Sequence, residues 1–165
     1  MVRPGEKISA NFPLKVLRDG EVQEVQFRDI LTRRTLVSIH MRNNTPSCDR
    51  QVDALAALAD ELAARGYHVV SISRDRIGSH QRYAAKKFPD SKLILASDPE
   101  DRFAQAADAV IDKMLYGRKY RGPARAAFVI ERDGTVAAVI EKVDTKNHAA
   151  EVRAVLTQVE HVQRT

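Results

Sequence analysis

The sequence predicts an α/β protein: a mixed central sheet with helices on both faces and a β-hairpin at the N-terminus. Three observations carry this reading. The short apolar, β-branched runs TLVSIH, HVVSIS and KLILAS are each followed by helical signals, the pattern of βαβ units whose strands are buried on both sides. Two further pairs of strand-like runs bracket short polar turns and read as hairpins. At 165 residues the chain has the length of one domain with a substantial core.

Taken in order, FPLKVL and VQEVQF flank the polar turn RDGE and form the first hairpin. TLVSIH is the first buried strand. The helix after it places Val52, Leu55, Ala59 and Leu62 on one face. HVVSIS and KLILAS follow with helical signals of their own. RAAFVIE and TVAAVIE bracket RDG, a second hairpin with Asp133 and Gly134 at its turn. The last helix has Asn147 as N-cap, Glu151 close behind, and Val152, Val155, Leu156 and Val159 along one side. A single domain over 1–165 is expected, with a frayed tail at 161–165.

Composition narrows the function classes. Hydrophobic residues at 44% and charged residues at 30%, with no low-complexity tract, describe an ordinary soluble domain. The start, MVRPGEKISANF, lacks the apolar core of a signal peptide, and no run approaches the roughly 18 apolar residues of a membrane span. A cytoplasmic protein without a membrane partner is expected, and a single cysteine suits a reducing compartment. The net charge of +5 and the run YGRKYRGPAR would attract phosphate. Basic and acidic residues are nevertheless interspersed, and no zinc finger, aromatic RNA-binding signature or basic heptad occurs. No nucleic-acid partner is expected.

The one cysteine, Cys48, lies in NNTPSCDRQ, where a strand gives way to a helix. Thr45 is a natural N-cap and Pro46 a natural first helical residue, because the N–H that proline lacks has no partner there. Ser47 and Cys48 then sit where free backbone N–H groups and the positive end of the helix dipole favour an anion. Helix N-termini and neighbouring cations favour the thiolate, the nucleophilic form of cysteine. A buried, inert thiol is the alternative that position alone leaves open.

The stretch NNTPSC resembles the active-site signature PxxxTxxC of peroxiredoxins, especially the TPGC form of the bacterioferritin comigratory protein (Q-type) group. The likeness runs from about Val2 to Leu156. PGEKISANFPL resembles the N-terminal segment of that group, HVVSISRD with SHQRYAAKK its second strand and following helix, and SDPEDRFAQAADAV the next turn and helix. YGRKYRGPARAAFVIERDGTV resembles the stretch leading into the strand that carries the family arginine, and EKVDTKNHAAEVRAVL its tail. The resemblance implies a thioredoxin-like fold and a thiol-dependent peroxidase that reduces hydrogen peroxide and organic hydroperoxides without a cofactor or metal. It implies that Cys48 attacks the peroxide and becomes a sulfenic acid. Thr45 would bond the thiolate and the peroxide through its hydroxyl, and Arg125 would stabilise the thiolate and polarise the O–O bond. Members of the group are often monomers or weak homodimers.

Four positions depart from the pattern. Met41 replaces the family proline and brings an oxidisable thioether; His40 stands where the group usually has tyrosine; Ser47 replaces glycine; Gln51 replaces a common glutamate. His40 is either a group titrating beside the site or a structural histidine. Many members of the group have a resolving cysteine five residues after the first, and here that position is Asp53; with no second cysteine anywhere in the sequence, no disulfide can form within the chain. A one-cysteine cycle follows, with thioredoxin, glutaredoxin or a low-molecular-weight thiol as external reductant. The alternative is a redox-inactive binding or chaperone module on the same fold. A thioredoxin-type CxxC is excluded, since Thr45 occupies its first place, and the five histidines show no metal-ligand spacing.

Overall fold

In the computed structural model, which describes residues 1–164 and the side chains of all of these except 115 and 162–164, the chain opens with the expected hairpin. Strands β1 (Pro13–Arg18) and β2 (Glu21–Gln26) pair antiparallel across Asp19 and Gly20, both at positive φ, 52° and 78°. Two such residues make the tight turn whose twist matches the strands, and glycine takes that conformation without a Cβ clash. A single helical turn, α1 (Phe27–Ile30), follows.

Next come β3 (Arg34–Ile39), α2 (Pro46–Ala64), β4 (Tyr67–Ser73), α3 (Ile77–Lys87) and β5 (Ile94–Ser97). β3, β4 and β5 run parallel, as strands joined by helical crossovers must. After α4 (Arg102–Ala106) come β6 (Val110–Leu115) and β7 (Arg118–Pro123), then β8 (Ala127–Ile130), β9 (Val136–Ile140) and α5 (His148–Arg164). The main sheet has the order β2-β1-β5-β4-β3-β8-β9, and β6 and β7 form a separate two-stranded sheet. Gly134, at φ 90°, turns β8 into β9 and accepts the Ile8 N–H at 3.0 Å, which fastens the N-terminal segment to this edge.

Each central strand sends alternate side chains to two cores. Val37, Val70, Ile72, Ile94 and Phe128 pack with Phe27, Ile30 and Phe103 on one side. Leu36, Val69, Leu95 and Val129 pack on the other with Leu55, Leu58 and Leu62 of α2 and Val152 and Leu156 of α5. The α2 face expected from the sequence, Val52, Leu55, Ala59 and Leu62, is buried throughout. Burying each large apolar side chain contributes about 1.5–3 kcal/mol, so these two layers hold the sheet.

Two local differences from the sequence reading matter. The helix expected within SDPEDRFAQAADAV is the five-residue α4, begun by Asp98, whose carboxylate accepts the Arg102 and Phe103 N–H groups at 2.8 and 2.9 Å. It stops because Asp108 turns the chain at φ 50°. The basic run YGRKYRGPAR then supplies the turn and second strand of the β6–β7 hairpin, with Tyr116 and Gly117 at positive φ. Of the frayed tail expected at 161–165, Thr165 and the side chains of 162–164 lie outside the described residues. Among the described residues, no helix is long and apolar enough to cross a membrane.

Candidate active site

Cys48 and Arg125 are 77 residues apart, and sheet pairing brings them together. β3 and β8 are antiparallel, with Ser38 opposite Ala127, so the chain leaving the end of β3 lies beside the chain entering β8. The Ile39 N–H donates to Ala126 O at 2.9 Å and the Ala124 N–H to Ala109 O at 2.7 Å, which fixes the backbone on both sides of Arg125. Its carbonyl accepts the Val143 N–H at 2.9 Å.

α2 begins at Pro46, with Thr45 in extended backbone geometry (φ −111°, ψ 143°) as N-cap. The first helical hydrogen bond runs from the Asp49 N–H to Thr45 O at 2.8 Å, so Cys48 is in the first turn as expected. Its side chain is 1% exposed. Two donors converge on the sulfur: the Arg125 guanidinium through Nη2 at 3.2 Å and the Arg42 backbone N–H at 3.4 Å. Both favour negative charge there, in a site that excludes bulk water.

Thr45 caps the helix with its backbone and not with its hydroxyl, which makes no capping bond. The hydroxyl donates instead to Arg42 O at 2.9 Å. One residue is thus held at both ends of its backbone: the Arg42 carbonyl by Thr45, its N–H by the sulfur it faces. Thr45 therefore meets the sulfur through Arg42 in this geometry.

Beneath this loop lies a buried polar network that the sequence did not reveal. His40 is fully buried, with Nδ1 on Ser71 Oγ and Nε2 on Asn43 Oδ1, each at 2.8 Å. An amide oxygen only accepts, so His40 donates from Nε2 and the Ser71 hydroxyl donates to Nδ1. The Asn43 amide donates to His80 Nδ1 at 3.1 Å, and His80 donates from Nε2 to Ala96 O at 3.1 Å. Every position is filled by neutral rings. Burial, and then His80, hold the His40 pKa down to about 4, so the structural reading of His40 applies and the ring carries no charge at neutral pH. The Asn43 N–H donates to Asp75 Oδ2 at 2.9 Å, which ties the same loop to the end of β4.

Gln51, one turn beyond Cys48, is fully buried and donates from Nε2 to Ser38 Oγ at 2.8 Å and to Ile39 O at 2.9 Å. Ser38 passes its proton toward His148 Nε2 at 3.0 Å, and His148 Nδ1 faces Glu151 Oε1 at 2.6 Å. Gln51 Oε1 is the buried side-chain N or O atom without a partner among the described residues, a deficit of about 1–3 kcal/mol.

The sequence reading also missed Lys113, which reaches from the β6–β7 hairpin to Met41 Sδ at 2.9 Å and Pro123 O at 2.8 Å. The Tyr116–Gly117 turn between VIDKML and RKYRGP was the available hairpin signal. Among the described residues, no group of three or more His, Cys, Asp or Glu is placed to hold a metal ion. What the site offers is one sulfur nucleophile, a fixed cation and a fixed N–H at that sulfur.

The AhpC/TSA family model matches residues 5–139. Peroxiredoxin Bcp of Escherichia coli is 30% identical over 132 residues, 80% of this chain and 83% of the relative. A Coxiella burnetii protein described as a putative peroxiredoxin bcp is 25% identical over 146 residues, 88% and 95% of the two chains. Among solved structures, the Xanthomonas campestris bacterioferritin comigratory protein, described for alkyl peroxide reduction, superposes with a TM-score of 0.81 at 23% identity. That match covers 96% of this chain and 99% of the other, and shows the shared thioredoxin-like fold.

Proposed function

Since the chain belongs to the AhpC/TSA family and is a peroxiredoxin, we propose that it reduces hydrogen peroxide and organic hydroperoxides by a one-cysteine cycle on Cys48. The observation that carries this reading is the Cys48 sulfur at the start of α2 facing Arg125 Nη2 at 3.2 Å and the Arg42 N–H at 3.4 Å. The thiolate gives an electron pair to one peroxide oxygen, the O–O bond breaks, and water or an alcohol leaves once the departing oxygen is protonated. Cys48 becomes a sulfenic acid. Arg125 holds charge at the sulfur and at the breaking bond, for which a permanently charged group with several donors is suited. Thr45 keeps Arg42 in place, and its oxygen has a lone pair free to accept from the hydroperoxide O–H.

An external thiol then attacks the sulfenic sulfur, releasing water and leaving a mixed disulfide, and a second thiol frees Cys48. Cys48 is the one cysteine in the chain, and Asp53 occupies the place of a resolver. Thioredoxin, glutaredoxin or a low-molecular-weight thiol serves as reductant to a protein that is a monomer or weak homodimer in the cytoplasm.

The test is peroxide consumption in the presence of dithiothreitol. The wild-type chain is expected to turn over hydrogen peroxide and an alkyl hydroperoxide, and Cys48→Ser to match the rate without protein. Equal, background consumption by both would leave the fold with a binding role instead.

A further inference from the structure

The chain contains three methionines, and one of them sits in an unusual environment. Met114 is 64% exposed near the tip of the β6–β7 hairpin. Met41 is partly buried against the core, yet its sulfur faces the ammonium of Lys113 at 2.9 Å. It is also adjacent in sequence to Arg42, whose N–H holds the Cys48 sulfur. Lys113 spends a second N–H on Pro123 O at 2.8 Å. Met41 is thus a second oxidisable sulfur, beside a proton donor and one residue from the N–H that faces Cys48.

We propose that Met41 is an oxidation site, converted by hydroperoxide to methionine sulfoxide with Lys113 as general acid. This rests on the reading that hydroperoxide enters beside Cys48. A thioether sulfur carries two lone pairs and is a weak acceptor, so the ammonium occupies one pair at little cost to the other. The free pair attacks one peroxide oxygen and the O–O bond breaks. The departing oxygen takes the Lys113 proton and leaves as water or an alcohol. The oxygen now on sulfur gives its proton back to the Lys113 amine, so the lysine ends as it began and the sulfur has lost two electrons.

Two features make Lys113 a better acid than a surface lysine. Burial, followed by the nearby charges of Arg125 and Arg74, lowers its pKa, which eases release of the proton. The product also rewards the contact, because a sulfoxide oxygen accepts a hydrogen bond from the ammonium far better than a thioether does. Oxidation at Met41 thereby fastens the β6–β7 hairpin to the loop that carries Arg42, and a methionine sulfoxide reductase is the class of enzyme that reverses it.

The experiment uses the full chain as Cys48→Ser, so that Cys48 neither consumes the oxidant nor is itself oxidised. Hydrogen peroxide is added in excess, and sulfoxide at Met41 and Met114 is followed in time by peptide mass analysis. Met41 is expected to oxidise about tenfold faster than Met114, the roughly hundredfold or more that a general acid provides being offset in part by Met41's lower exposure. Adding Lys113→Gln, which keeps an N–H donor and removes the transferable proton, is expected to bring Met41 down to the Met114 rate or below. Met114 serves as the reference within each variant, so a loosened fold would show as a rise in both. Faster oxidation at Met114 in the Cys48→Ser chain, or an unchanged ratio after Lys113→Gln, overturns the proposal. Either result leaves the dithiothreitol-coupled activity of the wild-type chain as a separate matter.

Discussion

Arg125→Met is expected to slow peroxide reduction by about a hundredfold, roughly 3 kcal/mol of lost transition-state stabilisation, the scale for removing one fixed donor at a site of developing charge. Methionine keeps an apolar stem of similar length, so packing between β7 and β8 is preserved while the guanidinium at 3.2 Å from the sulfur is lost. The backbone on either side is held by Ile39 and Ala109, independent of the side chain. The loss therefore belongs in the rate, with the thermal midpoint little changed. Stopped-flow reduction of hydrogen peroxide by the pre-reduced protein measures it. A rate within about twofold of wild type would show that the Arg42 N–H and the helix terminus suffice without Arg125.

Asp53→Cys is expected to change the fate of the oxidised protein. Cys48 is 1% exposed in the first turn of α2, whereas the Asp53 side chain is 54% exposed and pairs with Lys87 at 3.2 Å. Five residues along a helix advance the chain by about 7.5 Å, and a disulfide needs Cα atoms roughly 4.4–6.8 Å apart. Closing the bond therefore requires the first turns of α2 to unwind, beginning with the Asp49 N–H to Thr45 O bond that opens the helix. In the wild type nothing captures the unwound form, so excess peroxide without reductant should carry Cys48 on to the sulfinic acid, adding two oxygens. In Asp53→Cys a disulfide, seen as a loss of two hydrogens in the intact mass, should form first and block that oxidation. Rapid over-oxidation in the mutant with no disulfide trapped would mean that α2 stays wound through the cycle.

The strands TLVSIH, HVVSIS and KLILAS were legible because β3, β4 and β5 are buried on both faces and read as mainly apolar, β-branched runs in which the few interior polar residues are small and buried. The β6–β7 hairpin was not, because Asp112, Lys113, Arg118, Lys119 and Arg121 interrupt any apolar alternation in a two-stranded sheet that stands largely in solvent. At the site, Cys48 could be placed from Thr45 and Pro46, since a helix start is a local signal. Arg125 could not, for its nearness to Cys48 comes from the register of β3 against β8, and family resemblance alone singled it out. The fine geometry was hidden for the same reason. Thr45 reads as a side-chain cap until the carbonyl of Arg42 is seen within its reach, and His40 reads as a lone histidine until Ser71, Asn43 and His80 surround it.

The most direct test is the intact mass of the wild-type protein after brief exposure to one equivalent of hydrogen peroxide, without reductant, followed by a sulfenic-acid trap. A one-cysteine cycle predicts a chain mass that rises by one oxygen, a trap adduct located at Cys48 in the trapped sample, and full return to the starting mass when dithiothreitol is added to an untrapped sample. An unchanged mass, or oxygen found elsewhere while Cys48 stays a free thiol, would contradict it.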